Sequence, residues 1–251
     1  MIKLENVCAG YHGKEVLHNI NLTFEPGKVT VLTGPNGCGK STLLKSLIRL
    51  NPHISGKIWV EETPIEELDS VSLAQRIAYL PQSKKAPDIT VLRMVLHGRF
   101  AYLKYPRRYR KEDFEIAEKA LEWVGIAELA DENVSCLSGG TQQKVYIAMA
   151  LAQNTPTILL DEPTTYLDIS HQLKMMEMVR SLAAQGKSVV MVLHDLSQAF
   201  QTADKIAVMS EGKIVSDASP EELYLSGVID EIFGIQFRRV QTEKGWKYFC
   251  E

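Results

Sequence analysis

The run Gly34-Pro35-Asn36-Gly37-Cys38-Gly39-Lys40-Ser41-Thr42 reads G-x-x-x-x-G-K-S, and no other stretch constrains the chain as strongly. The apolar residues Val29 to Leu32 precede it, and Leu43, Leu44, Leu47 and Ile48 follow at the spacing of one helix face. Strand, glycine-rich turn and helix together are the setting of a Walker A phosphate loop. The physical reason is that a helix N-terminus offers unpaired N–H groups and a positive dipole end, which supply the counter-charge for a polyphosphate. Glycines let the backbone approach that ligand closely. In this motif Lys40 reaches the β and γ phosphates, and the Ser41 hydroxyl takes a place on Mg²⁺.

Along the chain the texture is α/β. Short strands are expected between Ile2 and Phe24 around a turn at residues 8–13, with Ile20, Leu22 and Phe24 facing inward. Asn51-Pro52 stops the first helix, residues 56–60 read as a strand, and residues 76–81 read as a short strand ending before Gln82. Residues 86–152 change character to helices. Thr90 is placed to cap a helix carrying Val91, Met94, Val95 and Gly98. A basic loop with Lys104, Arg107, Arg108, Arg110 and Lys111 precedes a helix with Phe114, Ala117, Leu121 and Val124 on one side, closed by Gly125. Strands return at 157–160 and 188–193. They flank a helix over 170–184 whose inward face is Leu173, Met176, Val179, Leu182 and Ala183, with Met175 and Met178 as core filling or its margin. A hairpin around Ser210-Glu211-Gly212, a capping box at Ser219-Pro220-Glu221-Glu222 and a pair of strands over 236–249 complete the reading.

Four apolar-to-polar transitions share one logic. The phosphate loop, Gln82, Asp161-Glu162 and His194 all stand where core strands end, and open α/β sheets bind ligands beyond their carboxyl ends. Asp161 suits a Mg²⁺-holding role, and Glu162 can accept a proton from an attacking water.

The run Leu137-Ser138-Gly139-Gly140-Thr141-Gln142-Gln143-Lys144 opens a helix and is physically a second anion-binding nest. At this point the chain resembles the ABC transporter ATPases. The resemblance covers nearly the whole length and implies an α/β fold: a P-loop NTPase core with a mixed sheet, an N-terminal antiparallel β part and an inserted helical subdomain. It implies one domain over 1–251, with 1–85 and 153–235 as nucleotide-binding core, 86–152 as helical subdomain and 236–251 as a β-like tail. By the same resemblance Tyr11 stacks on adenine, Gln82 meets Mg²⁺ or the attacking water, and Glu162 is the catalytic carboxylate. His194 is the switch histidine, and Asp168 lies at a dimer seam. Ser138, Gly139 and Gly140 close over the ATP held by the other protomer, so a head-to-tail homodimer is implied. Thr141 departs from the family, which has Gln or Glu at that place; the backbone donors of the nest are kept, while contacts around the nucleotide sugar are expected to change.

Within the family, residues 161–173 resemble the ATPases of importers for iron–siderophore complexes, haem or cobalamin. Zinc or manganese import and a non-transport role are the alternatives. The resemblance implies ATP and Mg²⁺ as cofactors, integral permease subunits as partners and, indirectly, an extracellular or periplasmic binding protein. The coupling surface is expected from Ser83 to about Arg110, where Tyr102, Tyr105 and the basic loop resemble an interface rim. A net charge of -3 gives no global pull toward nucleic acid, which is not expected as a partner. No run of about 18 apolar residues occurs, and Met1-Ile2-Lys3-Leu4-Glu5 lacks the apolar core of a signal peptide, so a place on the cytoplasmic face of the membrane is expected. The four cysteines form no C-x-x-C pair, which argues against a zinc site or a disulfide framework.

Overall fold

The apolar run before the phosphate loop forms β3 (Val29–Thr33), whose five residues are all buried. In the computed structural model β3 lies inside a six-stranded mixed sheet. The structure describes residues 1–11, 13–51, 53–82, 86–165, 167–243 and 245–251, with the side chains of residues 53 and 54 left aside. The expected turn residue His12, the helix stop Pro52, Ser83 at the start of the coupling stretch, Tyr166 and the turn residue Lys244 fall outside these.

The sheet also contains β6 (Ile77–Leu80), β7 (Thr157–Asp161), β8 (Ser188–Val192), β9 (Lys205–Ser210) and β10 (Lys213–Ala218). Their order is β10-β9-β3-β8-β7-β6, parallel except for the antiparallel β10. Alternate residues of the central strands enter two different cores: Val31, Ile158, Leu160, Val189 and Met191 face one, and Leu32, Leu159, Val190 and Val192 the other. Burial on both faces is why these strands read as unbroken apolar runs. One face packs α1 (Lys40–Ser46) and a four-stranded antiparallel sheet; the other packs α5 (Gly139–Ala152), α6 (Ile169–Ala184) and α7 (Leu196–Thr202).

The N-terminal sheet has order β2-β1-β4-β5, built from β1 (Ile2–Tyr11), β2 (Lys14–Phe24), β4 (His53–Val60) and β5 (Thr63–Pro64). The expected short strands are thus two long ones, and residues 8–11 are strand rather than turn. Bulges break the register of β1, and Asn6 and Asn19 take positive φ there, which disguises the length of the strands in the sequence. Ile20, Leu22 and Phe24 do point inward.

Between β6 and β7 lie α3 (Val91–Leu96), a 3-10 segment over His97–Tyr102, α4 (Lys111–Val124) and α5. The Thr90 hydroxyl caps α3 by accepting from the Arg93 amide at 3.4 Å, and Gly125 closes α4 at φ 68. Two inward assignments are corrected. Phe114 is 38% exposed and lies edge-on to Tyr109, because the inward face of α4 turns through Asp113, Ala117, Ala120 and Leu121. Leu173 is 60% exposed, and Met175 takes the core position beside Met176. A further helix, α2 (Ser70–Arg76), capped by Asp69, stands where residue 76 was expected to open a strand.

The hairpin of β9 and β10 turns through Glu211 and Gly212, both at positive φ. Beyond it α8 (Pro220–Ser226) carries the full capping box between Ser219 and Glu222. After α9 (Val228–Phe233), β11 (Phe237–Thr242) pairs with β12 (Gly245–Cys250); Phe237 and Tyr248 stack on each other, and Phe200 of α7 packs tilted against both.

Candidate functional site

The carboxyl ends of β3, β6, β7 and β8 point to one rim of the sheet, and the polar residues beyond them converge there. Asn36, Gly37, Gly39, Lys40, Ser41, Thr42, Gln82, Glu162 and His194 line one cleft of about 550 Å³. The loop that forms its floor is clamped from behind by β9. A Cβ on Gly34 (φ 147) would lie 2.0 Å from the Met209 carbonyl oxygen, so only glycine permits this approach. The Gly212 amide donates to the Cys38 carbonyl at 3.1 Å, which ties the same loop to the β9–β10 turn. Gly34, Pro35 and Cys38 therefore shape the loop without lining the cleft, and Cys38 is turned inward at 5% exposure.

Lys40 is buried, and its amine donates to the Gly34 and Pro35 carbonyls at 2.8 and 3.0 Å. These bonds hold a cation at the mouth of the loop, beside the first turn of α1. The Ser41 hydroxyl donates to Asp161 Oδ1 at 3.1 Å. Asp161 is 2% exposed, and burial raises its carboxyl above the ordinary range. Among the described residues no three His, Cys, Asp or Glu side chains converge. Ser41 and Gln82, which line the cleft, and the buried Asp161 carboxylate bonded to the Ser41 hydroxyl fit a hard cation of the Mg²⁺ kind, which takes few protein ligands and completes its shell with phosphate oxygens and water.

Glu162 follows the last residue of β7 with φ 51, a conformation that costs a non-glycine residue about 1–3 kcal/mol. Its carboxylate is held on both oxygens: His194 Nε2 lies 2.6 Å from Oε1, and the Thr165 hydroxyl donates to Oε2 at 3.4 Å. A carboxylate so fixed at the edge of a polar cleft can orient a water and accept its proton, with the imidazole as a neighbouring hydrogen-bonding group.

The other residues singled out in the sequence stand apart. Tyr11, 36% exposed at the end of β1, does not line the cleft. Neither do Ser138, Gly139, Gly140 and Asp168. Ser138 caps α5: its hydroxyl accepts from the Thr141 amide at 3.3 Å and lies 2.9 Å from the Thr141 hydroxyl. The shorter residue at 141 thus closes a local hydroxyl pair over an exposed helix N-terminus. Asp168 caps α6, accepting from the His171 amide at 2.9 Å, and its carboxyl is lowered to about 2 by the backbone and side-chain bonds from His171 and Ser170.

Three features escaped the sequence. Tyr79 of β6 donates its phenol to Asp161 Oδ2 at 3.3 Å, a contact created by the parallel register of β6 on β7. Gln143 of α5, buried, donates to the Pro163 carbonyl at 2.9 Å, beside Glu162. Arg99 and Asp113 pair at 3.0 Å inside the helical insert. A polar residue on an otherwise apolar helix face was the available signal for Gln143; for Tyr79 there was none.

A family model described as ABC transporter matches residues 17–165, more than half of the chain. The ferric enterobactin transport ATP-binding protein FepC of Escherichia coli (strain K12) is 42% identical over 234 residues, which is 92% of this chain and 86% of that protein. The iron(3+)-hydroxamate import ATP-binding protein FhuC of Bacillus subtilis (strain 168) is 36% identical over 251 residues, covering 99% of this chain and 93% of that protein. Among solved structures, the dimeric structure of a bacterial ABC transporter cassette superposes with a TM-score of 0.78 at 30% identity, over 88% of this chain and 99% of that one. Likeness of this extent means that the chain belongs to the ABC transporter family as one of its ATP-binding and ATP-hydrolysing subunits.

Proposed function

We propose that this subunit energises the import of an iron chelate, a siderophore complex or haem. It works as a head-to-tail homodimer on the cytoplasmic face of the membrane, with integral permease subunits and, through them, an extracellular or periplasmic binding protein. The observation that carries the catalytic half is the Glu162–His194 contact of 2.6 Å at the edge of the phosphate-loop cleft. Support for the cargo comes from the ferric enterobactin and iron(3+)-hydroxamate relatives.

Lys40 would face the β and γ phosphates, and Ser41 and Asp161, with Gln82, would hold Mg²⁺. A Mg²⁺ ion held there would supply positive charge to the phosphate oxygens. Glu162 accepts the proton of the attacking water while His194 and Thr165 keep its carboxylate in place. Tyr11 stacks on the adenine. Ser138, Gly139 and Gly140, exposed or half-buried and outside the cleft of their own chain, serve the ATP of the partner, and Asp168 lies at the seam. Among the described residues no helix is long and apolar enough to cross a membrane, in keeping with a peripheral subunit. Residues 86–152 form the helical subdomain, on a core of 1–85 and 153–235 with a tail over 236–251, and the stretch from Ser83 to about Arg110 meets the permease. Within it Tyr105, 98% exposed, is the outward aromatic of the basic loop; Tyr102 is half-buried, its phenol on the Gln153 carbonyl at 2.9 Å.

The test is Glu162→Gln, which keeps the shape and removes the basic carboxylate. Turnover should fall by a factor on the order of 10² or more while ATP still binds and an ATP-bound dimer accumulates in size-exclusion chromatography. Cells carrying this variant should lose uptake of radiolabelled ferric siderophore or haem. Wild-type hydrolysis would refute the role of Glu162, and undiminished uptake of both cargoes would refute the cargo.

A further inference from the structure

Asp161 is buried at the end of β7 with a donor on each oxygen, the Ser41 hydroxyl on Oδ1 and the Tyr79 phenol on Oδ2. The two donors differ in kind. Ser41 belongs to the phosphate loop and, on the reading above, turns its oxygen toward the cation. Tyr79 belongs to the sheet: Tyr79 lies opposite Leu159 in the parallel register of β6 on β7, and its ring packs at the margin of the core that contains Leu43, Leu44 and Leu159. Its phenol is therefore fixed by strand pairing and packing, independently of the phosphate loop.

We infer that Tyr79 is a positioning residue for the metal half of the site, holding Asp161 Oδ2 so that Oδ1 and the Ser41 oxygen are presented together to the divalent cation. The inference rests on the proposed Mg²⁺ role of Ser41 and Asp161. A buried carboxylate without this phenol lacks a fixed donor on Oδ2, so its orientation depends more on Ser41, and each movement of the serine toward the cation disturbs the aspartate. With the phenol in place Ser41 can turn to the cation while the aspartate stays put.

Tyr79→Phe removes the hydroxyl and keeps the ring. In the full-length protein with a non-hydrolysable ATP analogue, Mn²⁺ binding followed by electron paramagnetic resonance should weaken about tenfold, the size of effect typical for a residue that orients a metal ligand. Affinity for the analogue in EDTA should stay at the wild-type value. In steady-state hydrolysis the Mg²⁺ concentration for half-maximal rate should rise by a similar factor, with a much smaller change in turnover at saturating Mg²⁺. Tyr79→Leu, which also removes the ring, should show the same Mn²⁺ loss together with a lower melting temperature, which separates positioning from packing. Unchanged Mn²⁺ affinity in Tyr79→Phe would overturn the inference, as would an equal loss of analogue affinity in EDTA. If the wild-type protein with analogue bound no Mn²⁺, the metal reading itself would fall, and the inference with it.

Discussion

Two aspartates at the ends of elements show how one residue type is used in opposite ways. Asp161 is buried, and its carboxyl is raised by desolvation, so its contribution to stability is present at low pH and is lost as pH rises through the raised value. Asp168 is exposed and accepts hydrogen bonds at the start of α6, which lower its carboxyl from 3.8 to about 2. A depressed group contributes stability that is fully present above its unfolded value and is lost as pH falls through its folded one. The melting temperature of the wild-type protein should therefore exceed that of Asp168→Ala above pH 3.8, and the gap should close as the pH falls toward about 2. A gap that is constant across this window would show that the charge of Asp168 is immaterial to the cap. Neither environment can be read from the letter D; the first needs the sheet, and the second needs the helix that follows.

At the scale of elements, the helices of the insert pack on one another by close backbone approach. Gly98, in the 3-10 segment after α3, faces α5, and a Cβ there would lie 2.3 Å from the Met149 carbonyl oxygen and 3.0 Å from the Gln153 amide nitrogen. Both atoms belong to backbone and cannot swing aside. Gly98→Ala should thus cost about 2 kcal/mol, as overpacking does, and lower the melting temperature by roughly 4–8 °C for a chain of this size. Gly139 is the control: nothing lies within 4 Å of its Cβ position, and its φ is not in the left-handed range. Gly139→Ala should leave the melting temperature unchanged or slightly raised while impairing ATP-dependent dimerisation. A calorimetric scan of the two variants separates a glycine kept for packing from one kept for a ligand.

For the whole molecule, the proposed head-to-tail assembly rests on the separation of two nests on one chain. The phosphate-loop cleft contains Lys40 and Glu162 but not Ser138, Gly139 or Gly140, so the second nest is available to another chain. Lys40→Ala alone and a Ser138→Ala, Gly140→Ala double variant alone should each be inactive. Mixing them should restore hydrolysis, because one composite site of each heterodimer then contains every working part; no recovery in verified heterodimers would refute the head-to-tail arrangement. Much of this protein was legible in the sequence. The phosphate loop, Asp161-Glu162, His194, the capping box at Ser219 and the buried strands before them are local patterns, because a nest, a cap or a doubly covered strand needs particular residue types at fixed spacing. The length of β1 and β2 was hidden by bulges, and the inward faces of α4 and α6 were misplaced at Phe114 and Leu173, since a helix rotates to suit its neighbours. The sequence by itself determined the P-loop fold class and the polar residues proposed to meet the nucleotide's phosphates. The tertiary structure alone decided that Tyr79 reaches Asp161, that Gln143 reaches Pro163, and that β9 locks Gly34, because each depends on the register or approach of segments far apart in the chain, and no local spacing encodes that.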